Sequence, residues 1–240
     1  MHWPIREIKA ISYRTKAQLI CVASPLINKI FRRRSIRKYV FNVVGDSHTD
    51  VFQSEGNFNI CHIKQPTAYN LDQENSFSRS KEHLAEFLKT INKNDILMLV
   101  FGEIDARIHI YYQYIKNNKQ ISIEELICRT IERYAKVILR LKAEYKVVVY
   151  GIPPATPIME NQYNYPFYGS PEQRSEITKD FNQQLKSFTQ SQGIPFIDIY
   201  SITADKKGFT KEEYRQDKMH LNKKIVPHIR KKLIEFAKHL

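Results

Sequence analysis

Five short, nearly continuous apolar runs separated by longer amphipathic stretches constrain this chain more than any other feature. The runs are 38–44 (KYVFNVV), 58–63 (FNICHI), 95–101 (DILMLVF), 146–152 (KVVVYGI) and 194–200 (IPFIDIY). Runs of this length, rich in β-branched and aromatic residues and without polar alternation, fit strands covered on both faces, as in a parallel sheet. Between and after them, residues 78–92, 122–145, 170–193 and 222–239 read as helices. In the second of these, Leu126, Ile127, Ile131, Tyr134, Ile138 and Leu141 recur at helical spacing. The third opens on Ser170, Pro171 and Gln173, an N-cap, a first-turn proline and a capping-box partner, and closes on Gly193. Strands alternating with helices predict an α/β fold, a mostly five-stranded parallel sheet flanked by helices. At 240 residues the chain accommodates one such domain, 38–240, preceded by an N-terminal extension, 1–37.

In open parallel sheets the ligand sits beyond the carboxyl ends of the strands. Three polar clusters fall there: Gly45, Asp46, Ser47 and His48 after the first run, Gly102, Glu103, Ile104 and Asp105 after the third, and Asp217 to His220 before the last helix. A serine hydroxyl is a weak nucleophile until a base takes its proton, and an imidazole base works best when a carboxylate fixes its tautomer. Asp217 and His220 supply carboxylate and base within one turn of chain, and Ser47 sits at a Gly-Asp-Ser turn ending a strand.

The run VVGDSHTD (43–50) resembles the first sequence block of the SGNH (GDSL-like) hydrolase family, and DKMHLN (217–222) resembles its last. The segment RSEITKDFNQQL followed by GIPFIDI is similar to the family's penultimate helix and last strand. The resemblance runs from the first strand to the end and implies Ser47 as nucleophile, His220 as general base and Asp217 as its orienting carboxylate. It also implies a three-layer α/β/α sandwich, flavodoxin-like, as the fold. GEIDAR (102–107) resembles a variant third block, GEID-x-R, associated with bacterial surface-polysaccharide clusters.

Two departures concern the oxyanion hole. The family's third block usually places an asparagine where this chain has Ile104, and the stretch 63–71 (IKQPTAYNL) lacks the glycine of the second block. An aliphatic side chain cannot donate, and one lost oxyanion donor typically costs about two to three orders of magnitude in rate. Candidate replacements are the Ser47 N–H, the side-chain amides of Gln65 and Asn70, and the Arg107 guanidinium. Glu103 and Arg107, four apart, either pair structurally or address substrate. Asp46, Gly102 and Asp105 complete the candidate site. His48 reads equally as a polar wall of the site and as an ordinary first-turn residue. In the proline-punctuated loop 153–169, Tyr163, Tyr165, Phe167 and Tyr168 read equally as sugar-stacking platforms and as a local hydrophobic staple.

The net charge of +13 is concentrated at the ends, with +9 in residues 1–40 and +5 in residues 221–240, leaving the middle near neutral. That distribution argues against nucleic acid as substrate, because phosphate neutralisation would call for a basic site. It suits basic ends that either touch an anionic membrane surface or simply solvate the chain. Residues 17–31 beside the basic cluster 32–38 read as a packed helix or an interfacial one. Three scattered cysteines without a C-x-x-C pair point to a reducing compartment, and no secretory leader is apparent. The expectation is therefore a cytoplasmic protein, peripheral at the inner membrane if the basic N-terminus docks there. No metal-ligand spacing is present, so neither metal nor cofactor is expected. Three functions compete: an esterase or O-acyltransferase acting on an acylated carbohydrate, a membrane-associated lipid esterase or thioesterase, and a catalytically impaired glycan-binding protein.

Overall fold

Strand β1 (Phe41–Gly45) runs through the middle of the molecule, paired on one side with β2 (Phe58–His62) and on the other with β3 (Ile96–Val100). Beyond β3 lie β4 (Lys146–Tyr150) and β5 (Phe196–Ile197). All pairings are parallel, in the order β2-β1-β3-β4-β5. The computed structural model describes residues 39–159 and 167–239. The predicted basic extension, the apolar stretch 17–31, Tyr163 and Tyr165 lie outside them.

Each of the five runs forms its strand, cut short at one end or both, and β1 continues one residue past its run, to Gly45. The greatest shortening is at β5, which keeps only Phe196–Ile197 of the run 194–200. Asp198 stops it: its carboxylate accepts the Ser201 N–H at 3.0 Å and caps a short helix, Ile199–Thr203. The side chains of the sheet alternate between two cores, as the two-residue strand period requires. Val44, Leu97, Leu99, Val147 and Val149 face one layer, with Leu84 and Phe87 of helix α1 (Ser80–Leu88). The same layer takes residues of α3 (Ile123–Lys142) and α4 (Pro171–Ser191); α2 (Ile110–Lys116) adds Ile110. Phe41, Val43, Ile96, Met98, Val148 and Tyr150 face the other layer, against α6 (Val226–His239) and the helical turn Ser47–Phe52. The short helix Ile199–Thr203 is α5 in chain order.

Helix α3 buries Ile127, Ile131, Tyr134, Ile138 and Leu141, the stripe read from the sequence. Helix α4 carries its capping box, with the Ser170 side chain accepting the Gln173 N–H and the Gln173 side chain accepting the Ser170 N–H. The order 2-1-3-4-5 is the doubly wound arrangement whose switch point falls between β1 and β3. Chain leaving β1 and β3 turns toward opposite layers there, opening a crevice. Both the Ser47 turn and the Glu103 segment begin at that crevice.

Candidate active site

Gly45 ends β1 against β3 so closely that a Cβ there would lie 1.9 Å from the Val100 carbonyl oxygen. That approach lets the Asp46 N–H donate to the same carbonyl at 3.2 Å, and the chain turns immediately into the helical segment beginning at Ser47. As the first residue of that turn, Ser47 has a backbone N–H with no intrahelical acceptor. Asp46 caps the turn by accepting the His48 N–H at 2.8 Å.

His220 approaches from the opposite end of the chain. Its Nε2 lies 2.8 Å from Ser47 Oγ and its Nδ1 lies 2.8 Å from Asp217 Oδ2. The Asp217 carboxylate favours the tautomer with the proton on Nδ1, which leaves the Nε2 lone pair to accept from the serine hydroxyl. Asp217 Oδ1 also accepts the backbone N–H groups of Met219 and His220, each at 2.8 Å. Burial works to raise the Asp217 pKa, but these N–H donors and the His220 ring outweigh it and hold the carboxylate below its ordinary range. The turn is anchored from outside by the Thr156 hydroxyl, which donates to the Lys218 carbonyl at 2.8 Å. A cleft of about 210 Å³ beside Ser47 is lined by His48, Asp50, Gln216, Asp217 and His220 among others.

His48 is buried, 5% exposed. Its Nδ1 lies 2.9 Å from Asp46 Oδ1, and its Nε2 lies 3.3 Å from the Met219 carbonyl. Desolvation lowers the His48 pKa, yet the charges of Asp46 and Glu103 prevail and raise it to about 9. The Asp46 carboxylate, raised by burial and lowered more strongly by His48, ends below its ordinary range. Polar atoms of Asp46, His48 and Glu103 lie within 4.8 Å of one another. The atoms Asp46 and His48 turn to each other share a proton in a hydrogen bond, and Glu103 is itself paired with Arg107.

The third-block residues divide by role. Gly102, at φ +115°, takes a conformation that favours glycine and leaves no room for a side chain against Phe181. Ile104 is buried at 9% exposure, where the family pattern carries its amide donor. Glu103 and Arg107 pair bidentately across a π-type turn, Asp105–His109, with contacts of 2.6 and 3.3 Å. Arg107 also stacks on Phe167, which packs against Arg174 on its other contact. Phe167 is thereby buried, 3% exposed, and for this residue the packing role replaces the sugar platform. Tyr168 lies beside Tyr112 with ring centroids 5.2 Å apart.

Asp105 turns its carboxylate to the loop after β2. Its carboxylate accepts the Ala68 N–H at 2.7 Å and the Tyr69 N–H at 3.2 Å. Gln65 and Asn70, in the same loop, do not line the cleft beside Ser47. Gln65 is exposed in a left-handed turn, and Asn70 is half-buried with its N–H donated to the Thr67 hydroxyl at 3.1 Å. The Ser47 N–H, at the nucleophile itself, is one sequence-nominated oxyanion donor that the turn positions. Sequence reasoning missed Thr156 and Met219, whose contacts link segments 62 and 171 residues apart along the chain.

A serine, a carboxylate-oriented imidazole and a flavodoxin-like switch point together define a hydrolase of the SGNH serine type. A family model described as GDSL-like lipase/acylhydrolase matches residues 40–232, and the chain belongs to that family. No curated protein sequence matches it. Among solved structures it is similar to a GDSL-like lipase from Bacteroides thetaiotaomicron, with 14% identity, 92% of this chain and 98% of that one covered, and a TM-score of 0.59. An acylhydrolase of Bacteroides fragilis, titled putative, aligns at 16% identity over 93% and 97% of the two chains, with a TM-score of 0.58. A Streptococcus pneumonia structure titled as a putative platelet activating factor aligns at 17% identity over 92% of each chain, with a TM-score of 0.55. At these identities the neighbours establish the fold.

Proposed function

We propose that the chain is a serine-dependent esterase or O-acyltransferase that removes or moves a short acyl group on a carbohydrate, through an acyl-Ser47 intermediate. The observation that carries the reading is the 2.8 Å approach of Ser47 Oγ to His220 Nε2, with His220 Nδ1 held by Asp217. In the first step the Ser47 proton passes to Nε2 as Oγ attacks the ester carbonyl. The tetrahedral oxyanion takes the Ser47 N–H. Collapse expels the alcohol, which receives the proton from His220. Water or a second sugar hydroxyl, deprotonated by the same nitrogen, then releases the acyl group from Ser47.

The nature of the cleft supports a hydroxylated alcohol. Its wall sets the polar groups of His48, Asp50, Gln216, Asp217 and His220 beside Val51, Tyr150 and Leu221. The resemblance of Gly102 to Arg107 to the GEID-x-R block supports a place in bacterial surface-polysaccharide metabolism. Turnover of a series of p-nitrophenyl esters tests the acyl preference, with acetate expected well above octanoate. Incubation with O-acetylated oligosaccharides, alone and with an unacylated acceptor, separates hydrolysis from transfer by the product formed. Preference for long-chain esters, or no action on any acylated sugar, would refute the carbohydrate reading.

A further inference from the structure

The Ser47 turn and the Asp217–His220 turn meet twice, once through the catalytic pair and once through His48. His48 bridges Asp46 Oδ1 at 2.9 Å and the Met219 carbonyl at 3.3 Å. Asp46 immediately precedes Ser47, and Met219 immediately precedes His220. The Met219 peptide is fixed at both ends, its N–H donated to Asp217 Oδ1 at 2.8 Å and its neighbouring carbonyl receiving His48.

We propose that His48, held as an imidazolium by Asp46 with Glu103 close by, is a positioning residue that sets the distance between Ser47 and His220 by donating to the Met219 carbonyl. The proposal rests on the serine-hydrolase reading and adds a residue to it. Both bonds need both ring protons. A neutral ring with its proton on Nδ1 keeps Asp46 but has nothing to donate to Met219, and the other tautomer sets a lone pair against the carboxylate. The protonated ring satisfies both.

The surroundings hold that proton in place. Asp46 faces His48 from the same turn, and Glu103 approaches from the segment after β3, itself paired with Arg107. From the third side the His220 ring lies with its centroid 5.0 Å away, and His62 acts on Asp46 from β2. Asp46, His48, Glu103 and Arg107 thus bring charges of alternating sign together where the two turns meet. This gives the GEID-x-R block a physical task in this chain: Glu103 brings a second carboxylate near His48, and Arg107 holds Glu103 aimed. The histidine after the nucleophile and the distant Glu-Arg pair are one device.

The test compares wild type with His48→Leu, His48→Gln and Glu103→Gln, reading the rate of Ser47 phosphonylation by a fluorophosphonate and the pH profile of kcat/KM for p-nitrophenyl acetate. Displacing a catalytic group by about an ångström costs up to roughly 100-fold, so His48→Leu should slow both rates about 10- to 100-fold. His48→Gln keeps one donor for Met219 and should recover part of that loss. Wild type should lose activity as the pH rises through about 9, where the ring gives up its proton. That limb should be absent from both His48 variants and displaced to lower pH in Glu103→Gln. Wild-type rates and an unchanged alkaline limb in His48→Leu and His48→Gln would overturn the proposal while leaving the hydrolase reading standing. Failure of wild-type Ser47 to take the phosphonate would overturn both. Should His48→Leu fail to fold, the alkaline limbs of His48→Gln and Glu103→Gln decide alone.

Discussion

The Asp105 carboxylate accepts the Ala68 backbone N–H at 2.7 Å, tying the segment after β3 to the loop after β2. The contact is buried, with Asp105 only 1% exposed. Burial is the largest influence on Asp105 and pushes its pKa to about 7, against the two donated N–H groups, which favour the charged form.

From this follows a stability difference with a defined sign. A carboxyl whose pKa is raised on folding binds its proton more tightly in the native state, so its stabilising contribution is complete below pH 3.8 and fades as the pH rises to about 7. Asp105→Asn keeps an acceptor oxygen and cannot ionise. The Tm of Asp105→Asn relative to wild type should therefore rise between pH 4 and pH 7.5, by about 2–4 °C for each kcal/mol of wild-type loss. Melting curves across that range check it, and a difference that stays constant with pH contradicts it.

Gly45 should tolerate no side chain. A Cβ would lie 1.9 Å from the Val100 carbonyl oxygen, a backbone atom that cannot swing aside without parting β1 from β3. Gly45→Ala should cost at least about 3 kcal/mol, the upper end of ordinary overpacking. Urea unfolding measures the loss, and the nucleophile turn should be displaced even where the protein still folds.

Asp217→Asn should separate catalysis from stability. The side chain is about half exposed, at 49%, so the fold loses little. The amide can present its N–H to His220 and reverse the tautomer, which in serine triads costs about 10⁴ in rate. A fall in kcat of about 10³- to 10⁴-fold, with Tm within a few degrees of wild type, is expected from paired kinetic and melting measurements.

Much of this was legible from local pattern. The strands read correctly because a sheet covered on both faces demands continuous apolar runs, and α3 and α4 read correctly because their stripe and capping box lie within one element. Ser47, Asp217 and His220 were legible because the fold places chain after β1 and before α6 at one crevice. Less legible was everything decided by contacts between distant segments. Nothing in the sequence around His48 announces Glu103 or Met219, so its two readings stayed balanced until the structure joined them. Asp105 grips the loop that carries Gln65 and Asn70 by backbone groups that sequence does not display, and the left-handed turn at Gln65 is equally hidden in it. The shortening of β5 was signalled, in retrospect, by Asp198, a helix-capping residue inside an apolar run.

The central claim is that Ser47 is activated by His220, and active-site labelling of wild type beside Ser47→Ala addresses it most directly. Treatment with a fluorophosphonate followed by peptide mass mapping should find one adduct, on Ser47, with acetyl-ester hydrolysis lost in step. Ser47→Ala should take no label and fall at least about 10³-fold in turnover. An adduct elsewhere, or turnover in Ser47→Ala equal to wild type, would contradict the account.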